Sequence, residues 1–181
     1  GDSGSGISTT LASHMNAVAN ANQPGTEAIM MVIDAGTALY PTAKRMIKQG
    51  FMKPSMYFPA FNDDAREAIA KMTAHMENHR PGVEQLENRE ARPWYTGPEV
   101  YIYIDRAHLG LDGSPADPSS LAGLVEPLKQ GFDLGVHIIT GMSAATYATQ
   151  RVTNKFIKTM TEELSSPVLA LSAGSGLGPF M

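Results

Sequence analysis

The sequence predicts an α/β fold, a mostly parallel sheet held between two layers of helices, and three observations lead there. Short runs rich in Val, Ile and Tyr alternate with longer segments of helical periodicity, the pattern of strands joined by helical crossovers. The run Glu99 to Asp105, Glu-Val-Tyr-Ile-Tyr-Ile-Asp, is almost continuously apolar, as suits a strand covered on both faces. Glu27 to Asp34, Glu-Ala-Ile-Met-Met-Val-Ile-Asp, is a second buried-strand candidate and also ends in an aspartate.

With 181 residues, 43% of them hydrophobic and 18% charged, the chain suffices for one core and is short for two ordinary domains, so residues 1–181 are expected to form a single domain. A net charge of −4 offers no basic field toward nucleic acid or an anionic membrane surface. The absence of cysteine excludes disulfides and thiolate metal sites, and fits a reducing compartment. No stretch approaches the roughly 20 apolar residues needed to span a bilayer. The sequence starts at Gly1 without an initiator Met and stops at Gly-Pro-Phe-Met in mid-pattern, as a piece of a longer protein would.

In chain order, a glycine-rich loop from Gly1 to Ser8 precedes Leu11, Met15 and Val18, which recur as on a helix face. Asn20 to Gly25 is turn-like, and the strand to Asp34 follows. Pro41 suits the first turn of a short helix to Gln49, stopped by Gly50. Met56 to Phe58 is a candidate short strand. Asn62, Asp63 and Asp64 start a helix whose inward stripe is Ala65, Ile69, Met72 and Met76. Asn78 to Pro93 is polar and without periodicity, hence a loop. After the strand to Asp105, Leu111 to Ser120 is another loop. Ser119 or Ser120 can cap a helix with Leu121, Leu124, Val125 and Leu128 on one face, ended by Gly131. Val136 to Thr140 is a strand and Ser143 a cap; Val152, Phe156, Met160 and Leu164 mark one long helix, and Val168 to Ser172 a last strand.

A loop before a helix is the order that a phosphate site requires. Gly1 to Ser8 matches the P-loop pattern G-x-x-x-x-G-K-[ST] in both glycines and the hydroxyl, with Ile7 where lysine belongs. Ser8 would then be a Mg²⁺ ligand, and Asp105, at the end of its strand, fits the acid that holds the same ion. Without lysine the ammonium that bridges the phosphates is gone, so nucleotide affinity should drop by about one to two orders of magnitude. Arg106 stands where many P-loop ATPases place the acid that activates water, and a guanidinium cannot be that base. The alternatives are a glycine-rich turn with no ligand, and an Asp105 that merely caps the next turn.

With these two sites placed, the chain resembles the FtsK/SpoIIIE-type ATPases of type VII (ESX) secretion, the EccC family, as a late, C-terminal degenerate ATPase domain. The matching stretches are Gly1 to Thr10, Trp94-Tyr95-Thr96-Gly97-Pro98-Glu99 leading to Asp105, Leu121 to Thr140, and Glu163 to Ser172. The resemblance implies a P-loop NTPase fold of RecA/FtsK type, a three-layer sandwich that here lacks the strand which family members place before the phosphate loop. It implies ATP and Mg²⁺ as cofactors, bound weakly or not at all. Gly1, Ser3, Gly4, Ser5, Gly6, Ile7, Ser8, Thr9, Asp105 and Thr140 would line the nucleotide, Thr140 at the position that senses γ-phosphate in related ATPases; an ordinary strand-end hydroxyl is the alternative. It also implies a regulatory or substrate-docking role, with the C-terminal export signals of small helical-hairpin substrates and neighbouring ATPase domains of the same protein as partners. Its location would be cytoplasmic, at the inner face of the membrane, reached through other parts of the protein.

Hydrolysis is not expected with Ile7 and Arg106 in place. The competing possibility is a working ATPase whose missing Lys or Arg comes from a neighbouring subunit, and Arg89, Arg92 and Arg106 are candidate arginine fingers. His75 and His79 lie one helical turn apart, but Glu77 is misplaced for H-E-x-x-H and no third ligand is indicated, so a solvated helix face is expected. The 11 Met residues fall mostly on inferred core stripes, which points to packing rather than to a Met-rich docking surface.

Overall fold

Four parallel strands form the sheet in the computed structural model, which describes residues 6–110, 113–169 and 171 apart from the side chains of 89 and 109. β1 (Ala28–Asp34), β2 (Tyr57–Phe58), β3 (Glu99–Asp105) and β4 (Val136–Gly141) lie in the order β2-β1-β3-β4. β1 and β3 pair from Ala28↔Glu99 to Asp34↔Asp105, and β3 and β4 from Val100↔Val136 to Asp105↔Gly141. Register partners share a face of the sheet, so Asp34, Asp105 and Gly141 stand side by side at its C-terminal edge.

Helices cover both faces, which is why the strands are apolar throughout rather than alternating. On one face α1 (Ile7–Ala21) and α2 (Tyr40–Gln49) bring Leu11, Met15, Val18, Ala43 and Met46 onto Met30, Val32 and Tyr103. On the other, α3 (Asp63–Asn78) and α4 (Leu121–Val125) bring Ala65, Ile69, Met76, Leu121 and Leu124 onto Met31, Ile33, Ile102 and Ile104. α5 (Ala144–Thr153) leads into the short α6 (Lys155–Lys158), which adds Phe156 and Ile157 to that second core. Each such large side chain, fully buried, is worth about 1.5 to 3 kcal/mol. The result is the predicted three-layer α/β sandwich. Met15, Met30, Met31, Met46, Met52 and Met76 are all buried, so most of the methionines do serve packing.

Local chemistry sets the helix ends as the sequence suggested. Asn62 Oδ1 accepts from Ala65 N at 3.1 Å, Ser120 Oγ from Gly123 N at 2.9 Å and Ser143 Oγ from Thr146 N at 3.1 Å. Such caps are each worth about 1 kcal/mol. Gly50, at φ 86°, closes α2 in the left-handed conformation, which costs glycine little.

Several elements differ from expectation. Within the polar stretch 78–93, Val83–Ala91 is a 3-10 helix kinked at Asn88, a local turn structure that helical periodicity does not mark. The helix from Leu121 gives way after Val125 to a 3-10 helix over Glu126–Gln130, where Pro127 has no N–H to continue an α-helix. The long helix after Ser143 is broken at Asn154, whose backbone is extended and whose side chain caps α6. That break turns Val152 out to 72% exposure while Phe156 and Ile157 go inward. Thr159–Glu163 forms a π turn instead of further α-helix. In the expected last strand, Val168, Leu169 and Leu171 join no strand, and Ala170 and Ser172 lie outside the described residues. His75 and His79 are not a solvated pair: their rings, 4.3 Å apart, both pack edge-on against Tyr95. Burial, with His79 as neighbour, lowers the pKa of His75.

Candidate functional site

The site lies at the C-terminal edge of the sheet, where parallel strands open onto a crevice. Asp105 ends β3 with 4% of its surface exposed, and each of its oxygens is engaged. Ser8 Oγ, in the first turn of α1, donates to Oδ2 at 2.7 Å across 97 residues of sequence, and Arg106 N donates to Oδ1 at 2.9 Å. The two expected ion ligands therefore meet. A hydroxyl beside a carboxylate suits Mg²⁺, a hard cation that takes oxygen ligands and retains several waters. Ser8 and Asp105 would hold that ion, whose contribution when bound is to neutralise phosphate charge.

The N-terminus of α1 points into the same crevice. Gly6 precedes it in the left-handed conformation with φ 91°, no side chain caps it, and its first turn holds no acidic residue. Among the described residues no side chain takes up its leading N–H groups, which suit an anion with the helix dipole behind them. Gly1, Ser3, Gly4 and Ser5 lie outside the described residues; Thr9 follows Ser8 in the first turn of α1.

Ile7 occupies the lysine position and is packed as an apolar residue. A Cβ at Gly141 would lie 2.6 Å from Ile7 Cγ2, 3.1 Å from Leu11 Cδ1 and 3.3 Å from Asp105 Oδ1, so only glycine at the end of β4 lets α1 sit this close. Thr140 pairs with Ile104 and so belongs to the sheet face away from Ser8 and Asp105. The structure does not bring its hydroxyl to that pair.

Asp34 is the site residue that the sequence did not single out. Fully buried at the end of β1, it accepts from Leu39 N at 2.8 Å and Tyr57 OH at 3.0 Å, both on Oδ2, while Oδ1 has no hydrogen-bond partner among the described residues. Burial raises its pKa, the bonds from Tyr57 and Leu39 oppose that shift, and the nearby Asp105 adds to it. The signal was present in the sequence, since both buried strands end in Asp; what it lacked was their adjacency. No group of three or more His, Cys, Asp or Glu side chains able to hold a metal occurs among the described residues.

The candidate arginine fingers separate. Arg92 is spent inside the fold, paired with Glu99 and, at 2.7 Å, with Asp133. Arg106 is exposed and forms no ion pair with a described residue, and the side chain of Arg89 lies outside the description. Beyond the crevice, a trough of about 460 Å³ lies beside β4. Ile7, Leu11, Ile139, Phe156 and Met160 line it, and Val168 and Leu169 also border it, exposed at 47% and 70%. Among the described residues no helix is long and apolar enough to cross a membrane.

No protein-family model and no curated protein matches the sequence. Solved structures do. The chain aligns over 100% of its length, at 21% identity and TM-score 0.79, with 20% of the cytoplasmic domain of the Thermomonospora curvata type VII secretion ATPase EccC. It aligns over 90%, at 21% identity and TM-score 0.69, with 27% of Thermomonospora curvata EccC ATPases 2 and 3 in complex with a signal sequence peptide. A third structure, described as an ATPase, matches 90% of the chain at 18% identity and TM-score 0.65 over 60% of its own length. At these identities the likeness shows that the chain shares the fold of these ATPase domains, and the chain spans between a fifth and about a quarter of the two EccC structures.

Proposed function

We propose that the chain is a degenerate ATPase domain of a type VII secretion ATPase, binding Mg-nucleotide weakly or not at all and serving a regulatory or substrate-docking role. The observation that carries this is Ile7, packed against Leu11 and the glycine notch of Gly141 where a P-loop would extend an ammonium to phosphate. Arg106 supports it, because the position after Asp105 then holds no base for water. The Ser8–Asp105 pair still fits a magnesium ion, so what is lost is the means to bind tightly and to hydrolyse, not the crevice itself.

The docking half draws support from the apolar trough beside β4, and from the EccC structure described with a bound signal sequence peptide. Its occupant would be the C-terminal export signal of a small helical substrate, anchored as an amphipathic helix by apolar residues at i, i+3, i+4 and i+7. Neighbouring ATPase domains of the longer protein would be the other partners. The domain would work in the cytoplasm, at the inner face of the membrane.

Two experiments test the proposal. The purified chain should show no ATP turnover above background, and turnover that Asp105→Ala abolishes overturns the inactive reading. A C-terminal substrate peptide should bind more tightly than the same peptide with its apolar anchors changed to serine. Equal binding of the two, or none at millimolar concentration, removes docking. Arg106, exposed and without an ion-pair partner among the described residues, favours one competing possibility, a working ATPase completed in an assembly. In that case turnover appears only at concentrations where the chain associates, and Arg106→Ala abolishes it.

A further inference from the structure

Arg106 has a place in the crevice that neither the motif nor the docking role explains. Its backbone is left-handed, with φ 57°, and so is that of Thr37, with φ 56°. Non-glycine residues, and a β-branched threonine above all, avoid this region, and such outliers gather at ligand sites. Of the non-glycine residues in this region, which also include Arg92 and Ser165, these two stand on the two lips of one crevice, Thr37 in the loop after β1 and Arg106 directly after β3.

The guanidinium lies across Gly36, between those lips. A Cβ added at Gly36 would be 2.9 Å from Arg106 Nε, 3.1 Å from Cζ and 3.2 Å from Nη2, so the bare backbone is the rest on which the side chain lies. Because β1 and β4 flank β3 on opposite sides, Arg106 is on the far side of Asp105 from Ser8 and α1. A ligand that extended from the N-terminus of α1 over Asp105 toward β1 would approach this guanidinium.

The electrostatics ask for a cation at that spot. Asp34 and Asp105 are both buried in the crevice floor and adjacent in register. A phosphate brought over two carboxylates is repelled unless positive charge offsets them; the Mg²⁺ that Ser8 and Asp105 would hold offsets part of that repulsion, and Ile7 adds nothing to it. Arg92 spends its charge on Glu99 and Asp133, whereas Arg106 has no ion-pair partner among the described residues. A planar guanidinium also presents donors in the fork that phosphate oxygens fit.

We propose that Arg106 is a phosphate-binding residue, supplying from the end of β3 the positive charge that the loop lacks at Ile7, for the terminal phosphate of a nucleotide or for free pyrophosphate. This rests on the P-loop reading of Gly6, Ser8 and Asp105. It deepens the nucleotide half of the proposed function and is independent of the docking half.

The test is titration calorimetry of the chain with a non-hydrolysable ATP analogue and with pyrophosphate, each with and without Mg²⁺. Arg106→Ala should weaken binding about ten- to hundredfold, as expected for the loss of a charge-assisted bond, and Arg106→Lys should retain part of it. Gly36→Ala, whose methyl group displaces the guanidinium without touching the binding groups of α1, should weaken binding by less than Arg106→Ala. Thermal melts of all three variants should match the parent chain, because Arg106 is exposed and Gly36 lies outside the cores. Tighter binding of the analogue than of pyrophosphate assigns the site to nucleotide, and equal binding assigns it to polyphosphate alone. Undiminished binding by Arg106→Ala overturns the inference and leaves the degenerate-ATPase proposal standing. So does an absence of all binding by the parent chain at millimolar ligand, whereas turnover by the parent chain overturns that proposal but not the role of Arg106.

Discussion

Ile7→Lys puts back the one P-loop residue that the sequence omits, and the structure allows both its cost and its gain to be worked out. Ile7 is half-buried, with Cγ2 in the notch left by Gly141. Full burial of such a side chain is worth about 1.5 to 3 kcal/mol, so the half at stake is about 1 kcal/mol, and the lysine stem covers part of the same surface. In a domain of this size a loss of about 1 kcal/mol lowers Tm by about 2 to 4 °C. An ammonium over phosphate contributes about 1.5 to 3 kcal/mol, a tenfold to hundredfold gain in affinity before competition. Asp105 lies close enough to attract the new charge when the site is empty, which takes back part of the gain and leaves an expected improvement of about tenfold. Calorimetry with a Mg-bound, non-hydrolysable ATP analogue measures the gain, and a thermal melt on the same sample measures the cost. An unchanged affinity together with the expected small drop in Tm refutes the reasoning, because residue 7 would then be folded as described and yet not face phosphate.

Two further outcomes follow from the fold. Burial raises the pKa of Asp34 above its ordinary 3.8, so the folded chain holds that proton more firmly than the unfolded chain; its contribution to stability is complete below pH 3.8 and is lost as pH rises through the folded value. Asp34→Asn should flatten the stability profile across that window in denaturant titrations at stepped pH, and an unaltered slope would show that Asp34 is not the group responsible. Gly123→Ala should destabilise the chain by about 2 kcal/mol or more, since the new Cβ would lie 2.1 Å from the backbone oxygen of Asp117 and neither partner is a flexible side-chain tip; a melting temperature equal to the parent's contradicts that packing.

What the sequence made legible, and what it hid, divides along the range of the interactions concerned. The strands to Asp34 and Asp105 could be recognised because burial on both faces leaves a continuous apolar run, and the caps Asn62, Ser120 and Ser143 because each acts within three residues of itself. Ser8 and Asp105 could be paired because a known spacing of glycines and hydroxyl announces a phosphate loop, not because anything local links them. Asp34 needed the register of β1 against β3, and no local pattern carries register between parallel strands. The break at Asn154 was masked by Val152, an apolar residue that fits the helical stripe and yet faces solvent. The trough was hidden for the same reason as Asp34, since only the strand order places β4 at the edge of the sheet among the described residues.

The two departures from the P-loop pattern belong together once their surroundings are compared. Each replacement lies against a glycine from another segment: Ile7 fills the notch at Gly141, and Arg106 rests on Gly36. A Cβ at either glycine would come within 3 Å of the replaced side chain, and at Gly141 the displaced group would be one pinned between α1 and the sheet. On the role proposed for Arg106, the positive charge of the crevice would move from the loop before α1 to the lip after β3, where a guanidinium can meet phosphate but cannot take a proton from water, and nucleotide binding would be separated from hydrolysis.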